Sequence, residues 1–165
     1  MADLDANSAF AAGKSYVRAC TLLFEAAERS EEDRGWTTLP SNLLGAFAVE
    51  LLLKAALLDA GMTASKVRGI NHDLRKLHAR VAETVPFNIP ELASVVEAFA
   101  EDHKAGRYRY PTTGLGMTFA NWSRMLPVLQ TLCTVMDTRI ARSMLLRSLN
   151  ITPLASLGSL PPDPA

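Results

Sequence analysis

At 165 residues, with 48% hydrophobic and 21% charged side chains, the chain is long enough to bury a core without disulfide or metal staples, and its length suits one domain. Seventeen Lys/Arg balance seventeen Asp/Glu, so no net field advertises nucleic acid or a membrane surface. The balance hides an asymmetry, because residues 1–65 carry five Lys/Arg against nine Asp/Glu and residues 66–147 carry twelve against seven. Two opposed poles favour self-association or one basic face; a scatter of solvated charges gives the same counts.

The N-terminal segment MADLDANSAFAAGK has early acids and no apolar run, so it does not read as a secretory signal, and a cytoplasmic protein is expected. A first helix is predicted from about Ser8 to Arg34, with Tyr16, Cys20, Leu23, Phe24 and Ala27 as its apolar row, Asn7 or Ser8 as cap and Gly35 as stop. Glu28, Glu31, Glu32 and Asp33 then fall at its C-terminal end, where the helix dipole disfavours them. Trp36 to Pro40 reads as a connection. A second helix is predicted from about Pro40 to Ala60, ended by Gly61. It is apolar all round, which makes it the central helix. Within it, LLGAFAVELLLKAALL (residues 43–58) is interrupted only by Glu50 and Lys54, which break the run short of a membrane span.

Asn71-His72-Asp73 opens a third helix with Leu74, Leu77, Val81 and Val85 inward and Arg75, Lys76 and Arg80 outward; Pro86 stops it. A fourth follows Ile89-Pro90, buries Leu92, Val95, Val96 and Phe99, and ends at Gly106. GRYRYPTTGLGM (106–117) has the Gly, Pro and Thr density of a loop, but two Arg alternate with two Tyr in it, so a passive linker is not expected. A fifth helix is predicted from Thr118 to Leu149, kinked or restarted at Pro127, with Leu126, Leu129, Leu132, Met136, Ile140, Met144 and Arg147 inward. The last stretch, ITPLASLGSLPPDPA, has four prolines and no periodicity. The expected architecture is all-α, an up-and-down bundle of four to five helices over residues 1–149, followed by a disordered Pro-rich tail over 150–165. Cys20 and Cys133 sit among apolar residues at helical spacing and read as inert thiols. No Cys/His spacing marks a metal, and no metal or cofactor is assigned.

Four features carry chemistry. Glu50 and Lys54, four apart, share one helix face with Asn42 and Ala46. Charges in so apolar a helix must be paired, as a structural ion pair or as part of a polar site. His72-Asp73 starts the third helix, where Asp73 suits a cap. Arg107-Tyr108-Arg109-Tyr110-Pro111 forms the third feature, and the basic segment 66–80, five Lys/Arg against one acid, the fourth. Arg and Lys suit a phosphate, and Tyr offers stacking or a hydroxyl. Placed at one end of the bundle, Glu50, Lys54, His72, Asp73, Arg107, Tyr108 and Tyr110 would form a phosphate site. The alternative is that Glu50 anchors Arg107 or Tyr108 and ties down the loop.

AFAVELLLKAALL, NHDLRKL and RYRYP, in that order over residues 8–148, resemble the HEPN family, the helical nucleotide-binding domains of higher eukaryotes and prokaryotes. Many relatives share A-x-E-x-x-x-K on the second helix, here Ala48, Glu50 and Lys54, and His-x-Leu at the third, here His72 and Leu74. One branch has an R-Y-P-like element after the fourth, here Arg107 to Pro111. The resemblance implies a helical bundle, usually dimeric, that binds nucleotide or RNA. Some relatives are toxins of toxin–antitoxin or defence systems, some partner a nucleotidyltransferase, and others are scaffolds without ligand.

Active relatives are metal-independent endoribonucleases with R-x(4–6)-H, in which Arg stabilises phosphate charge and His moves a proton. This chain departs from that pattern. Its last helix has Arg124, Arg139, Arg142 and Arg147 but no His, and Arg68 precedes His72 with only three residues between. The leading expectation is therefore a nucleotide- or RNA-binding homodimeric module with an antitoxin or nucleotidyltransferase partner. A scaffold comes next, then a ribonuclease with a displaced site using His72.

Overall fold

A computed structural model describes residues 4–85, 88–110 and 119–149. Among these residues the fold is all helical: α1 (Ala6–Ala27), α2 (Glu31–Asp59), α3 (Ala64–Gly69), α4 (Leu74–Thr84), α5 (Leu92–Lys104) and α6 (Trp122–Ser148). The all-α bundle agrees with the sequence reading; the expected tail at 150–165, the expected stop at Pro86, the Pro111–Met117 part of the expected loop and Thr118, the expected start of the fifth helix, lie outside the described residues.

The first two helices divide at a different place from the one expected. Asp5, not Asn7 or Ser8, caps α1 by accepting the Ser8 N–H at 2.9 Å. The chain then turns at Glu28–Arg29, and Ser30 caps α2 by accepting the Asp33 N–H at 3.0 Å. Glu31, Glu32 and Asp33 thus form the first turn of α2, where the dipole favours acids, rather than the end of α1. Trp36–Pro40 is helix, not connection. Pro40 costs α2 one backbone hydrogen bond, but the helix continues through it.

α2 is the centre of the molecule. It packs against each of the other helices, and its longest contact is with α1. Ala46, Val49, Leu52, Leu53, Ala56 and Leu57 are completely buried, as the all-round apolar pattern requires. With only two charges in its apolar stretch, α2 is long and apolar enough to cross a membrane, contrary to the expectation from Glu50 and Lys54; 72% of that stretch is covered by the other helices.

Gly45 lets the start of α6 close on α2, because a Cβ there would run into Trp122 Cη2 and stand 3.0 Å from Phe99 Cζ. Asn42, one turn earlier and fully buried, accepts from Trp122 Nε1 at 3.2 Å and from the Ala120 N–H at 3.3 Å. Buried residues of α6 end at Ile140; Met144 is 53% exposed, and Arg147 turns outward to Asp59, so neither belongs to the expected inner row. α6 passes through Pro127 as one helix.

Candidate functional site

The polar row of α2 reaches three other elements. Asn42 holds the start of α6. Two turns on, Glu50 is 3% exposed and receives three donors. Lys54 Nζ donates to Oε1 at 2.6 Å. His72 Nδ1, from the turn before α4, lies 2.8 Å from Oε2, and His103 Nε2, from the last turn of α5, lies 2.5 Å from the same oxygen. An ionised carboxylate only accepts, so both imidazoles present N–H to it. Burial alone would push the Glu50 carboxyl up, but hydrogen bonds from His103, Lys54 and His72 more than offset it and hold the group down to about 2. Glu50 is therefore a fixed anion at neutral pH.

The rings form a compact aromatic wall. Phe47, one turn before Glu50, meets His103 edge-on at 5.0 Å and His72 at 6.3 Å, and the two imidazoles are T-shaped at 5.5 Å. The Arg109 guanidinium lies over the same Phe47 ring at 5.9 Å. His103 is buried, whereas the His72 side chain is 41% exposed. With Nδ1 turned to Glu50, the Nε2 edge of His72 is left for another partner.

The segment after α5 is held by its own acid. Gly106 takes φ +73°, and its carbonyl accepts the N–H groups of Arg109 and Tyr110 at 3.0 and 2.9 Å, which curls 106–110 into a tight turn. Arg107 Nη1 donates to Asp102 Oδ1 at 2.7 Å, and the Arg107 N–H to the Asp102 carbonyl at 2.9 Å. The Tyr108 hydroxyl is buried beside the same carboxylate; burial first, then the Asp102 charge and hydrogen bond, raise its pKa. The expected alternative role of Glu50 as anchor of Arg107 or Tyr108 thus belongs to Asp102, because Glu50 already serves Lys54 and two imidazoles. Tyr110 is 74% exposed.

Asp73 caps α4 through the Lys76 N–H at 3.1 Å, and its second oxygen accepts Lys104 Nζ at 2.9 Å, which ties the start of α4 to the end of α5. That hydrogen bond from Lys104 is the first cause of its lowered pKa. In the basic segment, Arg75 faces Glu97 and Arg80 faces Glu83.

Glu50, Lys54 and His72 thus meet directly, and Asp73 flanks them. Arg107 and Tyr108 are tied to Asp102, the neighbour of His103. Lys54 and Arg107 each have a buried carboxylate partner. His103, Phe47 and Arg109 complete the cluster; Arg109 belongs to the RYRYP feature but was not among the expected phosphate-site residues, and His103 and Phe47 were not singled out from the sequence. His103 had a legible signal: it continues the Leu92, Val96, Phe99 row of α5 at helical spacing, where an imidazole must find a buried partner.

Elsewhere, a groove of about 450 Å³ between α1 and α6, lined by Lys14, Val17, Leu22 and Cys133, shares no residue with this cluster. Cys20 is fully buried and its thiol is pushed up to about 12 by burial, so it is inert. No protein-family model, curated protein or solved structure matches the chain.

Proposed function

We propose that this chain is a HEPN-type helical module that binds the phosphate of a nucleotide or RNA at the α2–α4–α5 end, acting in the cytoplasm as a homodimeric partner within a toxin–antitoxin or defence-type system. The observation that carries the reading is that the His72 imidazole and the Arg109 guanidinium both pack on Phe47, one edge-on and one over the ring, with His72 oriented from behind by Glu50. A guanidinium and an imidazole packed on one aromatic ring suit a phosphate, and exposed Tyr110, at the end of the same turn as Arg109, suits a base. In this reading Glu50, Lys54, Asp73, Arg107 and Tyr108 are the frame, and His72, Arg109 and Tyr110 touch the ligand. Exposed Met144, Leu145 and Leu149 near the end of α6 support association, with a second copy or with an antitoxin or nucleotidyltransferase.

The test is binding of labelled single-stranded RNA and of nucleotides in the presence of a chelator. Arg109→Ala should weaken binding about tenfold and flatten its salt dependence by about one phosphate contact, with the helical signal unchanged. A wild-type chain that binds none of these at low salt defeats the reading and leaves a scaffold. Light scattering across micromolar concentrations tests the dimer.

One observation favours a second reading. Because His72 donates Nδ1–H to Glu50, its neutral ring carries the lone pair on Nε2, the arrangement of a general base oriented by a carboxylate. Such a chain would cleave RNA without metal from a displaced site. Cleavage that survives chelator and disappears in His72→Ala supports it; an intact RNA panel removes it.

A further inference from the structure

We propose that Glu50, His72 and His103 form a divalent transition-metal site, with zinc as the best-suited ion. One ligand atom from each of the three residues lies within 4.8 Å of the other two, and His72 Nδ1 and His103 Nε2 both face Glu50 Oε2. They come from three separate elements, α2, the α3–α4 turn and α5, so the fold and not a local spacing brings them together. Two imidazole nitrogens and one carboxylate oxygen are a known zinc donor set, and zinc sites with three protein ligands keep a fourth position for water. The half-exposed face of His72 supplies the entry path and that fourth position.

The present geometry is close to what an ion requires. Ligand atoms around a tetrahedral zinc stand about 3.3 Å apart, given bonds of about 2.0–2.1 Å. The two imidazole nitrogens now stand 2.8 and 2.5 Å from Oε2. A small rotation of the carboxylate opens both distances and admits the ion between them. Each imidazole then moves its proton to its other ring nitrogen, so no proton need leave either ring. Lys54 stays on Oε1 as an outer hydrogen bond that fixes the carboxylate, the usual role of a group behind a metal ligand. Phe47 packs edge-on to both imidazoles and limits their rotation.

This site does not depend on the phosphate reading. It has a consequence for it, however, because metal on Nδ1 turns Nε2 of the half-exposed His72 from a proton acceptor into an N–H donor. Occupancy would therefore suppress cleavage by a His72 base.

The experiment uses the full chain without a histidine tag, stripped with chelator and dialysed. Zinc is titrated against a chromogenic competitor, and cobalt is followed by its visible absorption. One equivalent should bind, with the absorption of a four-coordinate ion. His72→Ala should weaken binding by at least about tenfold, because it deletes the exposed ligand. His103→Gln should do the same, and His78→Ala, a histidine outside the cluster, should change nothing. Circular dichroism checks that each variant is folded; if His103→Gln is not, the comparison of His72→Ala with His78→Ala decides. Absence of one-to-one binding with zinc at about 100 μM, or equal binding by wild type and His72→Ala, overturns the proposal. These readouts involve no nucleic acid, so failure here leaves the phosphate reading standing, and the converse.

Discussion

Glu50 Oε2 and His103 Nε2 meet at 2.5 Å across the packing of α2 on α5, both side chains almost wholly buried. The carboxylate is the shared acceptor of an ammonium and two imidazoles, so its removal leaves three donors without a partner at once. Glu50→Ala should therefore cost about 3–5 kcal/mol. Glu50→Gln, which keeps one acceptor oxygen, should cost less. Urea unfolding in the presence of chelator measures both. A loss below about 1 kcal/mol for Glu50→Ala would mean that water replaces the carboxylate and the network has no structural role.

The close approach at Gly45 gives a second expectation. Alanine there gains up to about 1 kcal/mol of helix propensity, but its methyl meets the indole of Trp122 and the ring of Phe99. Trp122 is also held by Asn42, so it cannot simply swing away. Gly45→Ala should lose about 1–3 kcal/mol net, with a changed tryptophan emission. The loss should shrink in a Trp122→Phe background, and strict additivity of the two substitutions would refute the contact as its cause.

The apolar run of α2 was legible because a helix buried on every side must be apolar on every side. Its start was not, because Gly35 and Pro40 look like breakers. The capping residue Ser30, with three acids behind it, is the stronger signal. It dominates because Pro40 forfeits a single hydrogen bond while the first turn gains a cap and a favourable dipole. α3 escaped because six residues carry too little periodicity to be read. Glu50 and Lys54 were legible from charge in an apolar helix, and His72 from its place at the start of the next helix, at the Lys54 end of the bundle. Arg107 and Tyr108 were legible as residues with a task, but their partner was not. Asp102 stands beside His103 on the buried face of α5, and only the three-dimensional path shows that one of these neighbours serves the loop and the other serves Glu50.

Tyr108 supplies the pH dependence. Burial and the Asp102 carboxylate raise its pKa, so the fold favours the protonated phenol. Its contribution is fully present below the unfolded pKa of about 10 and is lost as pH rises above that value toward the folded one. Stability of the wild type should therefore fall between about pH 10 and pH 11 more steeply than that of Tyr108→Phe, which keeps the ring against Phe99 and has nothing to ionise. Parallel slopes for the two proteins in urea unfolding would show that the phenol is not constrained.

Asp59, at the last residue of α2, carries the other end of the bundle. Its side chain is 1% exposed, with Arg139 Nε 2.7 Å from one oxygen and Arg147 Nη2 3.2 Å from the other. The two contacts differ in environment: the Arg139 side chain is 26% exposed and that of Arg147 is 60%. Solvent screens the outer pair, so Arg147→Ala should change stability by less than about 1 kcal/mol. Arg139→Ala leaves a covered carboxylate with only that screened partner and should cost more, about 2 kcal/mol. Hydrogen exchange should localise the effect of Arg139→Ala to the α6 turns beyond Ile140, which have no buried residue of their own to hold them. Equal losses for the two arginines, or exchange that rises uniformly along α6, would show that Asp59 does not set where the last helix is fastened.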